Sequence, residues 1–147
     1  MDSIKQISVF AENKPGKLQK ITAVFAENKI NILAISIASS DAFGVLKFVV
    51  DKSNQALKAL KQKGFTVTLE EVLAIEMVDK PGGLHKVAQF LFENNLNIEN
   101  AHVLVLESRK RAYLLIEGPN IKTAQKLLKK AKIPFFQGNI ESRRKRR

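Results

Sequence analysis

Asn13-Lys14-Pro15-Gly16-Lys17-Leu18 returns 66 positions later as Asp79-Lys80-Pro81-Gly82-Gly83-Leu84. The register holds outward from that stretch: Lys20 falls on Lys86, Ile21 on Val87, Phe25 on Leu91, Glu27-Asn28 on Glu93-Asn94, and Asn31-Ile32 on Asn97-Ile98. Nine of the nineteen positions from Lys14 to Ile32 are identical in the two copies. A repeat of that length marks each copy as a supersecondary unit, here large enough to be a small domain.

Within each copy the hydrophobic period changes in a constant order. Ile7 and Val9 alternate with Gln6 and Ser8, as in a half-buried strand, and the run stops at the turn-forming Asn13-Lys14-Pro15-Gly16. Leu18, Ile21, Thr22 and Phe25 then recur at helical spacing, as do Leu84, Val87, Ala88 and Leu91, which predicts a helix with one apolar face in each copy. Residues 32–38 and 45–50 are expected as a hairpin around Ser39-Ser40-Asp41-Ala42. Ala56, Leu57 and Leu60 mark a shorter helix stopped by Gly64, and Phe65, Val67 and Leu69 a fourth strand. The second copy repeats the series with strands over 72–78, 98–106, 111–116 and 133–136 and helices over 84–93 and 121–131. The order is βαββαβ twice. It predicts an α+β protein of two ferredoxin-like domains, residues 1–70 and 71–140, followed by a basic C-terminal tail over 141–147. Only Glu70-Glu71 is left to connect the copies, and exposed edges of the two antiparallel sheets are expected to join side by side.

Composition excludes several function classes. The chain has 147 residues, 45% apolar and 27% charged, with no cysteine, so disulfides, thiolate metal sites and thiol nucleophiles are all ruled out. No apolar run approaches the roughly 20 residues of a membrane helix, and strand-like sequence begins at once after Met1, so a cytoplasmic location is the expectation. The net charge of +11 is unevenly placed. Five positive charges fall in Arg143-Arg144-Lys145-Arg146-Arg147, leaving six for everything before them. A terminal block of like charge is usually solvated, and is a nonspecific contact for nucleic acid at most.

The repeated loop carries a chemical possibility. A helix start leaves backbone N–H groups unpaired with a partial positive charge, which suits a carboxylate, and glycine lets a ligand approach the backbone. Asn13 or Asp79, just before the turn, offers an acceptor to an ammonium group. Together these features suit an α-amino acid. Asn and Asp before Pro-Gly are also ordinary turn and cap residues, and one such loop alone says little. Its duplication, each time followed after a helix by Asn-Ile, is what singles it out.

These residues resemble the ACT domain, a ligand-binding module of amino-acid metabolism. The resemblance rests on Asn13 to Leu18, an amphipathic helix and Glu27-Asn28-Lys29-Ile30-Asn31-Ile32, and again on Asp79 to Leu84 and Glu93-Asn94-Asn95-Leu96-Asn97-Ile98. It spans nearly the whole chain except the tail and is similar to the stand-alone tandem ACT-domain proteins with no enzyme attached. It implies a non-catalytic regulatory or sensor module, a free amino acid as effector bound in the seam between the domains, no cofactor, a homodimer, and a regulated protein as partner. By position, one site would combine Asn13, Gly16, Lys17 and Leu18 with Asn97, and the other Asp79, Gly82, Gly83 and Leu84 with Asn31. Lys17 departs from the small apolar residue of many members, and Asn31 and Asn97 also read as plain turn residues.

Catalysis has little support. His85 and His102 stand seventeen positions apart in no nucleophile or metal-ligand spacing, His85 is expected on the surface of its helix, and a lone Asp79 makes no acid–base pair. The competing function is RNA binding, since RNA-recognition modules share the βαββαβ order and place aromatics on central strands. Phe43-Gly44-Val45-Leu46-Lys47-Phe48 faintly matches their third-strand signature, but the second copy has only Tyr113 there. Phe43 and Phe48 are therefore expected as turn and core residues.

Overall fold

The computed structural model describes residues 3–137, and the basic tail over 141–147 lies outside them. The elements run β1 (Ile4–Glu12), α1 (Lys17–Glu27), β2 (Ile32–Ser40), β3 (Phe43–Val50), α2 (Ser53–Gln62), β4 (Thr66–Val78), α3 (Gly83–Glu93), β5 (Asn100–Glu107), β6 (Arg111–Glu117) and α4 (Ile121–Ala131). Two compact units divide them, one from residue 5 to 70, the other from residue 71 onward together with residues 3–4. Residues 70–71, expected as a connection, lie inside β4, which continues unbroken from Thr66 to Val78.

In the first unit the strand order is β2-β3-β1-β4, with β3 antiparallel to both β2 and β1. Register pairs Ile7 with Phe48 and Val9 with Leu46 on one face of the sheet. Those four side chains close over Ile21 and Phe25 from α1 and Leu60 from α2, all essentially without exposure. Full burial of side chains this size contributes about 1.5–3 kcal/mol each. Phe25 meets Phe48 edge to face at 5.1 Å, the arrangement that ring quadrupoles favour. Ferredoxin-like packing repeats in the second unit: β4 pairs β6 and β6 pairs β5, with Leu73, Ile75, Leu114 and Ile116 facing Val87, Leu91 and Leu128.

The duplicated Glu-Asn pair has a structural role. Asn28 Nδ2 donates to Val24 O, and Asn94 Nδ2 donates to Phe90 O, each at 2.8 Å. The next residues, Lys29 and Asn95, take φ of 54°, which lets the Ile30 and Leu96 amides reach back to Phe25 O and Leu91 O. Both helices thus end in the same left-handed turn, with their last carbonyls satisfied. Gly64, at φ 85°, ends α2 as expected.

Four expectations are corrected. The strand over 133–136 is reduced to a single bridge between Phe135 and Ile75. Pro134 there accepts from the Glu76 amide but has no N–H to donate, so a ladder does not develop. The strand expected from Ile98 starts at Asn100, because its partner β6 ends at Glu117 and Gly118 turns away at φ 121°. The helix faces also differ. Leu18 and Leu84 remain 37% and 50% exposed, and Thr22 and Ala88 also stay out of the core; Val24 and Phe90 are buried instead. Phe43, expected as a turn residue, instead opens β3 with 68% exposure, because its pairing with Glu12 and Ser40 places it at the end of the sheet.

Candidate functional site

In the first unit, Asn13 is the hub of the loop after β1. Its amide donates to Ala42 O at 2.8 Å and its Nδ2 to Asp41 O at 3.0 Å, so the β2–β3 hairpin tip lies against the loop. That juxtaposition follows from register, since Glu12 pairs with Phe43. Asn13 Oδ1, the acceptor that would serve an ammonium group, is already taken. Lys17 Nζ donates to it at 3.0 Å and to Ser39 Oγ at 2.7 Å. Gly16 caps α1 at φ 91°, and a Cβ there would meet nothing within 4 Å. Glycine is needed at that position for its backbone and leaves open space beside the helix start. No side chain caps α1 and no acid stands in its first turn, so the positive end of the helix is left uncompensated. A shallow groove of about 650 Å³ runs from Lys14 to Gln19 and on to Thr22 and Ile37, and the exposed Leu18 lies in it.

The second unit builds the same loop with different partners. The Asp79 amide donates to Lys110 O at 3.1 Å, and Asp79 Oδ2 accepts from the Arg109 amide at 2.6 Å. Among the described residues nothing donates to the other oxygen, Oδ1. Gly82 caps α3 at φ 84°, again with nothing within 4 Å of a Cβ, no side-chain cap and no acid in the first turn. Gly83 differs from Gly82. A Cβ on Gly83 would lie 2.0 Å from Val78 O, so the absence of a side chain is what lets α3 start against the end of β4. Lys17 occupies the matching position of the first copy.

The structure brings Asn13, Gly16, Lys17 and Leu18 together in one loop, and Asp79, Gly82, Gly83 and Leu84 in the other. Asn31 and Asn97, each expected with the loop of the opposite copy, lie in their own unit at the far end of the helix that follows its loop. Each stands beyond the C-terminal end of an 11-residue helix, on the order of 16 Å of helical rise from its start. Asn31 is held there through its backbone N–H, which donates to Asp51 Oδ1 at 2.9 Å. Ser39, Asp41, Ala42 and Arg109 touch the loops, although the sequence marks the first three only as a hairpin turn and Arg109 not at all. Their signal was available in principle, since antiparallel pairing of the first and third strands puts the hairpin tip beside the first loop.

Phe48 is fully buried against Phe25, so a base cannot stack on it. His85 is exposed on α3 and His102 lies half-buried in β5. Among the described residues no three His, Asp or Glu side chains are placed to hold a metal ion, and no helix is long and apolar enough to cross a membrane.

Comparison with known proteins supplies the frame for this geometry. The profile of the family described as "ACT domain pair" matches residues 2–142. A crystal structure of a Bacteroides thetaiotaomicron protein is similar over 92% of both chains, with 33% identity and a TM-score of 0.85. The ligand-free regulatory subunit of aspartate kinase from Thermus thermophilus shares the fold, with 22% identity, a TM-score of 0.64 and coverage of 88% of this chain and 93% of its own. The corresponding subunit from Thermus flavus aligns at 19% identity and a TM-score of 0.59 over 89% and 94% of the two chains. Among curated proteins, none matches the sequence.

Proposed function

We propose that this chain, which belongs to the ACT domain pair family, is a non-catalytic regulatory module whose second loop, Asp79 to Leu84, binds a free α-amino acid. The observation that carries this reading is the state of Asp79. One of its oxygens is fixed by the Arg109 amide, which orients the carboxylate, and the other has no donor among the described residues. An ammonium group is the natural partner for it. The ligand's carboxylate is then served by the uncapped amides at the start of α3, with Gly82 leaving the approach open and the exposed Leu84 beside it. In the first copy Lys17 supplies the ammonium that Asn13 would otherwise take from a ligand, so Asn13, Gly16 and Leu18 form the weaker site.

A regulatory role agrees with the fold shared with aspartate kinase regulatory subunits. A module of this kind acts by presenting its ligand state to a protein partner in the cytoplasm, and a homodimer is the assembly proposed for it. The test is a thermal-shift screen of the full chain against the twenty amino acids, where a ligand at 100 times its Kd stabilises by about 2.7 kcal/mol. The stabilising amino acid should lose its effect in Asp79→Leu, whose half-buried side chain leaves the fold standing. Equal stabilisation of that variant refutes the assignment.

A further inference from the structure

A separate cleft of about 300 Å³ opens in the second unit between the start of α3, the end of β4 and residues 133–134. That volume is at the lower end of the range in which proteins hold small molecules, about 300–1,000 Å³. Met77, Val87, Ile133 and Pro134 make its walls apolar. Lys80, Lys86 and Arg111 line it as cations, with Glu76 as the single carboxylate. Glu76 is spoken for: its Oε1 lies 3.5 Å from Arg111 Nη1. Asp79 is next to Lys80 in sequence, but its Oδ2 is turned to the Arg109 amide. Among the described residues Lys80 and Lys86 therefore have no carboxylate partner. Gly83 sets α3 close to β4 at this point, because its missing Cβ would otherwise collide with Val78 O. Lys80 and Gly83 are shared with the loop assigned above to an amino acid, whereas Lys86, Arg111 and the apolar walls of the cleft are not.

From this charge balance and these walls, we infer that the cleft binds a small monocarboxylic acid with a hydrocarbon body, its carboxylate held by Lys80 and Lys86 and its body lying on Met77, Val87 and Ile133. Each half of such a ligand has a use here. The hydrocarbon leaves water for apolar walls, and the anion answers two unpaired cations. A zwitterionic amino acid is a poorer occupant, since its ammonium would face the lysines while Glu76 is engaged by Arg111. A purely hydrophilic anion such as phosphate leaves the apolar walls unused.

The test uses the uniformly ¹⁵N-labelled full chain titrated with hexanoate and, separately, with hexanamide, which keeps the shape and removes the charge. Hexanoate is expected to shift the amides of Met77, Gly83, Val87 and Ile133 and to bind at least about tenfold more tightly than hexanamide. Lys86 is exposed, so Lys86→Glu should fold normally and lose hexanoate by a similar factor, while Lys86→Arg retains it. Equal affinity for the acid and the amide, shifts confined to residues outside the cleft, unchanged binding to Lys86→Glu, or no shifts at millimolar hexanoate would each overturn the proposal.

Discussion

Lys17 Nζ donates to Asn13 Oδ1 at 3.0 Å, so the first copy fills from its own chain the acceptor that the second copy, with Gly83 in place of Lys17, leaves on Asp79. The two repeats therefore present unequal acceptors, although four of the six loop residues from Asn13 to Leu18 recur from Asp79 to Leu84. Replacing Lys17 by Met removes the internal ammonium and keeps the aliphatic stem. Calorimetric titration with the stabilising amino acid should then report two equivalents per chain where the native protein binds one. Because both lost hydrogen bonds are exposed, the change should cost no more than about 1 kcal/mol of stability. A stoichiometry that does not move would show that Lys17 is no obstacle.

Neighbouring glycines should respond differently to the same substitution. Gly82→Ala strains a backbone held at φ 84° but meets open space, and is expected to cost about 1–2 kcal/mol. Gly83→Ala drives a methyl group against the Val78 carbonyl, and should cost up to about 3 kcal/mol by forcing α3 away from β4. Urea midpoints of the two variants, compared at constant m-value, give the order directly. If Gly83→Ala were the milder of the two, the close approach of helix and strand would be wrong.

The two phenylalanines of β3 make a further contrast. Phe48→Ala empties a fully buried site beside Phe25 and should cost about 3–5 kcal/mol. Phe43→Ala, at a largely exposed strand end, should stay within about 0.5 kcal/mol of the native protein. Chemical denaturation distinguishes them easily. An RNA-binding sheet would give another pattern, with Phe43→Ala weakening RNA affinity at constant salt.

Any affinity for RNA should instead reside in the basic tail. Deleting residues 143–147 removes five of the chain's positive charges. Filter binding across a salt series should then show the salt-dependent component lost, since that component counts neutralised phosphates. Retention of a steep salt slope after truncation would place the contact on the folded part.

The duplication and the twice-repeated βαββαβ order were legible in the residues alone. Both are written in local signals: a period of two or 3.6, Pro-Gly at a helix start, Gly64 or Asn28 at a helix end. Local signals failed where a neighbour distant in sequence decides the outcome. Ile133 to Phe136 is a short apolar run that reads as a strand, but Pro134 removes the donor its ladder required. Leu18 and Leu84 have helical spacing, yet each stands in the second position of its helix and remains exposed. The loops were recognised as candidates, while the occupancy of their acceptors was not.

By itself, then, the sequence determined two copies of one fold with a glycine-opened helix start in each, because these depend on residues within a few positions of one another. Tertiary structure alone decided which acceptor is free, since Asp79 meets an amide 30 positions away and Lys17 bridges to Ser39 across 22. It also decided that Lys80 and Lys86 share an apolar cleft with Ile133. Such neighbours are set by strand register and helix approach, and no spacing along the chain encodes them.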